Sequence, residues 1–132
     1  MMSDKGKKFS IKERLRSFRF AFNGIWALIR YEHNFRIHLA IFIAVILAGI
    51  IFRISLTEWL AVLFVSALVL VSESFNTSLE HLSDVVSPGA DEKIRRAKDT
   101  AAAAVLISAM AAILTGIMIF GPKLLKLIAC FF

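Results

Sequence analysis

Three apolar blocks separated by charged connections organise this chain. Leu39 to Phe52 carries no charge and is closed by Arg53. Trp59 to Val71 is interrupted only by Ser66, and Ala101 to Phe120 only by Ser108 and Thr115. A hydrocarbon core about 30 Å thick needs about 20 helical residues, and only the third block has that length alone. The first two must be completed by flanking polar residues, which either snorkel to the interface or are buried in a bundle. Ser87-Pro88-Gly89 is a turn signal, Asp91 a suitable N-cap, and Gly121-Pro122 a helix stop. The pattern therefore predicts transmembrane helices over about 34–53, 56–86 and 91–120.

A different periodicity precedes the spans. Ser10-Ile11-Lys12-Glu13 has the form of a capping box. Ile11, Leu15, Phe18, Phe22, Trp26 and Ile29 then recur every three or four residues, with Lys12, Arg16, Arg19 and Asn23 on the other face. A basic amphipathic helix beside membrane spans lies in the interface plane, so a surface helix is expected over about 10–31. Residues 1–9 read as a disordered basic N-terminus, 10–123 as one membrane domain and 124–132 as a C-terminal tail. The fold class is all-α integral membrane. Ala104, Ser108, Ala112 and Gly116 form a small-residue stripe that allows close helix contact, although alanine as ordinary helix filler accounts for it equally well.

Composition agrees with this reading. The chain is 58% hydrophobic, above the usual 45–50% or so of soluble domains, and its mean hydropathy is +0.74. The net charge is +6, and nine of the sixteen basic residues precede His38. Beside three spans this bias reads as topology rather than nucleic-acid binding. Lys93, Arg95, Arg96 and Lys98 mark the second connection, whereas Arg53 to Glu58 holds one basic residue. By the positive-inside rule the N-terminus and the second connection are cytoplasmic in a multi-pass protein of the inner (plasma) membrane. Lys123 and Lys126 at the opposite end are exceptions to the bias. Cys130 is the single cysteine, which leaves no disulfide framework and no cysteine-based metal site.

The chemistry is concentrated between Val71 and Asp84. On a helix turning about 100° per residue, Glu73, Asn76, Thr77, Glu80 and Asp84 share one face. A carboxylate at mid-membrane costs about 2.5–3.5 kcal/mol by insertion scales, less at the edge of the apolar run, where Glu73 lies. Hydrogen bonding between helices would explain amides and hydroxyls on this face. Three carboxylates, however, repel one another unless a cation or basic groups answer them. Carboxylates suit Mg²⁺, which commonly bridges one or two of them to substrate phosphates. Lys98, Asp99, Arg95 and Arg96 begin the third span on the same side, and Glu32 lies at matching depth before the first; as a surface partner of Arg30 or Arg36 it is equally well explained. Glu73 and Glu80 are about 10 Å apart along a helix axis, too far to grip one ion easily. The outer carboxylate suits a metal and the inner one a general base acting on a lipid hydroxyl. The chain has no G-x-x-x-x-G-K-[ST] loop, and His33, His38 and His81 show no metal-ligand spacing.

These residues resemble the prokaryotic diacylglycerol kinase family, which includes undecaprenol kinases. The motif E-x-x-N-[ST]-[SA]-[LIV]-E-x-x-x-D is met by Glu73, Asn76, Thr77, Ser78, Leu79, Glu80 and Asp84. Ala97-Lys98-Asp99 before an alanine-rich helix and Glu32-His33-Asn34-Phe35 supply two further blocks. The resemblance implies a homotrimeric bundle that moves the γ-phosphate of ATP to a membrane lipid alcohol with Mg²⁺. It implies Glu73 as catalytic base, Glu32 and Glu80 as metal ligands, and Glu80, Asn76, Asp91, Lys98 and Asp99 at the nucleotide. The blocks at Glu32–His38, Glu58-Trp59 and Phe120–Leu124 look closer to the undecaprenol kinase branch. That makes undecaprenol the expected substrate and diacylglycerol the alternative, ahead of a non-enzymatic membrane subunit.

Overall fold

The computed structural model describes residues 10–89 and 91–130. The basic segment 1–9, expected to be disordered, lies outside the described residues, as do the last two residues of the C-terminal tail. Four helices follow in order: α1 (Ile11–Tyr31), α2 (His33–Ile51), α3 (Leu56–Val86) and α4 (Glu92–Ala129). The last three are long and apolar enough to cross a membrane.

The chain divides into two units after Glu32. The first is α1. Ser10 caps it by accepting a hydrogen bond from the Glu13 backbone N–H at 3.4 Å. The helix closes at Glu32, whose N–H donates to the Leu28 carbonyl at 3.0 Å. Ile11, Leu15, Phe18, Phe22 and Trp26 stand exposed along it.

In the second unit α3 is the central helix, packed on both α2 and α4. Among the described residues only Phe35, Ile54, Val62, Val69 and Ile119 are buried apolar side chains. So small a core does not sustain a water-soluble domain, and the apolar surface left outside far exceeds what soluble monomers show. Lipid or further protein must cover it; this is a membrane protein.

The tightest packing lies at the α2–α3 hairpin. Helix α2 ends in a Schellman motif, with Ile54 N–H donating to the Gly49 carbonyl at 3.1 Å and Arg53 N–H to that of Ile50 at 3.2 Å. Arg53 takes the left-handed conformation that closes such a motif, with φ 48°, a position glycine fills at less cost. Ser55 and Glu58 then form a full capping box on α3: Ser55 N–H donates to Glu58 Oε2 at 2.7 Å and Glu58 N–H to Ser55 Oγ at 3.3 Å. Gly49 lets the Trp59 ring lie directly on the α2 backbone, since a Cβ there would sit 2.6 Å from Trp59 Cη2. Gly49→Ala is therefore expected to cost about 1–3 kcal/mol through overpacking, read as a lower thermal midpoint in detergent. Adding Trp59→Leu to that variant should return part of the loss; no recovery would place the strain elsewhere.

Helix α4 departs from expectation. The Gly121-Pro122 stop does not end it: the helix runs on to Ala129 with Pro122 inside. Proline removes one backbone donor and crowds the preceding turn, but membrane helices tolerate it where neighbouring groups hold the chain. Here Lys123, one residue beyond the proline, donates to Glu58 Oε1 at 2.8 Å. Phe120, just before it, stacks at a tilt on Phe52 with centroids 6.0 Å apart. The pair also explains Lys123 as an exception to the charge bias, because Glu58 answers it. Glu58→Ala removes both the capping box and this pair, so it is expected to lower thermal stability more than Lys123→Ala. Equal losses would show that the cap contributes nothing.

Candidate active site

The polar face of α3 is sorted by depth. Glu73 is 3% exposed, Asn76 6% and Thr77 4%. Glu80 is half-buried and Asp84 open. Along one face, the environment thus changes from protein interior to solvent in three helical turns. Asn76 Nδ2 donates to Glu80 Oε1 at 3.1 Å, which aims the Asn76 carbonyl oxygen away from that carboxylate. Asn76 Oδ1 is buried and has no hydrogen-bond partner among the described residues. An unmatched buried acceptor costs about 1–3 kcal/mol.

A second feature lies at the open end. Asp84, Asp91, Glu92, Arg95, Lys98 and Asp99 line a cavity of about 680 Å³ between the end of α3 and the start of α4. Lys98 Nζ donates to Asp84 Oδ1 at 3.0 Å and so joins the two helices. Asp91 caps α4, its Oδ1 accepting from the N–H groups of Lys93 at 2.8 Å and Ile94 at 3.1 Å. Arg95 bridges Glu92 and Asp99 at 2.9 and 3.0 Å. Of the residues expected at a nucleotide, Asp91, Lys98 and Asp99 therefore share one cavity wall, while Asn76 and Glu80 are neighbours on α3. Glu32 belongs to the other unit.

Asp84 had a place in the sequence pattern but no role; the structure makes it the partner of Lys98. Its spacing of four residues from Glu80 places it on the polar face but does not point to Lys98. Because both side chains are solvent-exposed, the pair is worth no more than about 1 kcal/mol. Asp84→Ala should therefore leave the thermal midpoint nearly unchanged. A large drop would make the pair part of the fold rather than of the site.

The donor set fits a hard divalent cation. Among the described residues no three His, Cys, Asp or Glu side chains gather as a metal cluster. Mg²⁺ does not require one, since it takes one or two carboxylates and completes its shell with waters and phosphates. Glu80, half-buried toward the open end of the face, offers a carboxylate of this kind.

The model for prokaryotic diacylglycerol kinases matches residues 19–120. The chain belongs to the prokaryotic diacylglycerol kinase family. It is 32% identical over 123 residues to the undecaprenol kinase of Bacillus subtilis (strain 168), an alignment covering 93% of this chain and all of that protein. It is 37% identical over 112 residues to the diacylglycerol kinase of Synechocystis sp. (strain ATCC 27184 / PCC 6803 / Kazusa), covering 84% of this chain and 64% of that one. Membership makes the protein a lipid kinase, which requires a phosphate donor such as ATP, and it decides against a non-enzymatic subunit. The matched span contains Glu32, the whole polar face of α3 and Lys98-Asp99.

Proposed function

We propose that the protein transfers the γ-phosphate of ATP to the hydroxyl of undecaprenol, with Mg²⁺, at the cytoplasmic face of the inner (plasma) membrane. The observation that carries this reading is the burial gradient on α3. Glu73 sits at its apolar end, where a lipid hydroxyl arrives from the bilayer. The face then runs out to the cavity around Lys98, where a water-soluble nucleotide arrives.

In this reading Glu73 accepts the hydroxyl proton. The hydroxyl oxygen bonds to the γ-phosphorus, the bond from that phosphorus to the bridging oxygen breaks, and ADP leaves with the electron pair. Such reactions depend chiefly on positioning and charge compensation. Glu80 and Glu32 would hold Mg²⁺, which when bound neutralises phosphate charge. Asn76 shapes the nucleotide site. Lys98, oriented by Asp84, meets a phosphate, while Asp91 and Asp99 fix the cavity wall. Helix α1 lies along the membrane surface with its apolar stripe in the lipid. The protein works as a homotrimer, whose contacts cover the exposed faces of the spans.

Undecaprenol is preferred over diacylglycerol because the undecaprenol kinase relative aligns over its full length, whereas the diacylglycerol kinase relative does so over 64% of its own. The test is a head-to-head assay of the two alcohols with radiolabelled ATP and purified protein. The expected result is a higher kcat/KM for undecaprenol. A higher value for diacylglycerol would reverse the substrate assignment, and no labelled lipid from either would remove the activity.

A further inference from the structure

Among the described residues, the buried polar side chains are Glu73, Asn76, Thr77 and Ser83 on α3 and Ser108 on α4. Ser108 is therefore the one that a second helix contributes, and it is 3% exposed. Its hydroxyl is satisfied within its own helix, lying 2.6 Å from the Ala104 carbonyl oxygen and 3.1 Å from that of Val105. Thr115 makes the same kind of bond, to the Ala111 carbonyl at 2.9 Å, yet is only half-buried. The backbone bond thus does not account for the burial of Ser108. The packing of α4 on α3 does.

Two observations set Ser108 opposite Glu73. The first is the face. Lys98, Ala101, Val105, Ser108, Ala112 and Ile119 are buried or half-buried on α4 at spacings of three, four and seven. This stripe runs from Lys98 toward Lys123, whose ion pairs with Asp84 and Glu58 turn it to α3. Glu73, itself 3% exposed, lies on the line of α3 that joins Glu58 to Asp84 through Val62, Val69 and Glu80. The second observation is the level. The two ion pairs enclose stretches of α3 and α4 that differ in length by one residue. Counting inward from one pair sets Glu73 level with Ser108, and from the other with Ala109.

We propose that Ser108 is a positioning residue for Glu73. With the lipid hydroxyl seated, the Ser108 hydroxyl donates to one oxygen of the Glu73 carboxylate and leaves the other to take the proton. This rests on the lipid-kinase reading with Glu73 as base. Catalytic bases are commonly oriented by a third group, and Asn76 does not serve here, because its amide is given to Glu80. A serine hydroxyl hydrogen rotates to suit its surroundings. The Ala104 carbonyl released by that rotation keeps the backbone hydrogen bond of α4, so the exchange is an easy one. Ser108 transfers no proton. It fixes the direction of a long, flexible carboxylate, and a misplacement of about 1 Å at a reacting group can cost about 10²-fold in rate.

Ser108→Ala tests the proposal, since alanine fits the site and suits a helix. The acceptor is whichever alcohol wild type phosphorylates faster in the head-to-head assay. The variant is expected to lose about tenfold or more in kcat, with KM for ATP and the thermal midpoint unchanged. In a Glu73→Gln background the same substitution should change kcat by less than about twofold, because the group it positions is gone. Thr115→Ala removes the same kind of backbone bond about 10 Å further along α4 and should keep kcat within about twofold of wild type. An unchanged kcat in Ser108→Ala overturns the proposal. So does an equal loss in both backgrounds, or a loss in Thr115→Ala as large as that in Ser108→Ala. A fully active Ser108→Ala beside an inactive Glu73→Gln removes only the role of Ser108. Near-wild-type turnover by Glu73→Gln, or none by wild type on either alcohol, removes the reading on which the proposal rests.

Discussion

Glu73→Gln is expected to lower turnover by about 10²–10⁴-fold, the usual worth of a positioned general base, with KM values for both substrates nearly unchanged. The substitution keeps the size of the side chain and much of its hydrogen-bonding capacity. What it removes is the ability to take a proton. Because Glu73 is buried in the second unit, a truncation such as Glu73→Ala would also open a cavity and confuse lost chemistry with lost packing. Glutamine separates them: thermal midpoint and oligomer size should match wild type. Turnover within about tenfold of wild type would remove Glu73 from the proton transfer.

Glu80→Gln should have the second-largest effect, with a different signature. Glu80 is half-buried and holds the amide of Asn76. Loss of its charge should cost about 10²–10³-fold in turnover, comparable to removing one electrostatic partner of a transition state. Excess Mg²⁺ should restore part of the loss, because the variant weakens binding of the ion rather than the chemistry. A loss that Mg²⁺ leaves untouched would argue that Glu80 acts only by holding Asn76.

Much of this was legible in the sequence because membrane helices obey strong rules. The three apolar blocks gave three spans, and the one-face spacing of Glu73, Asn76, Thr77 and Glu80 is the face that the structure grades from buried to open. Asp91 was readable as a cap because its carboxylate sits directly before a helical run. What escaped depends on contacts distant in sequence. Nothing in local spacing pairs Lys123 with Glu58 or Lys98 with Asp84. For that reason Gly121-Pro122 read as a stop, although α4 continues past it. The Trp59 ring on Gly49 is hidden for the same reason. Ser55-x-x-Glu58 has the same capping-box form as Ser10-x-x-Glu13, and it is the one whose exchange is complete in the structure, where Ser10 supplies only its half. Glu32 matched the pattern by depth and resemblance, and its role as a metal ligand rests on the proposal.

In the proposed division of the polar face by depth, proton transfer lies at Glu73 and nucleotide and metal binding from Glu80 outward. The most direct measurement is the affinity of Glu73→Gln for ATP with Mg²⁺, by titration calorimetry on the purified protein, beside Glu80→Gln. Glu73→Gln is expected to bind the nucleotide within about twofold of wild type while failing to turn it over, and Glu80→Gln to bind it poorly. Loss of nucleotide binding in Glu73→Gln would contradict that division.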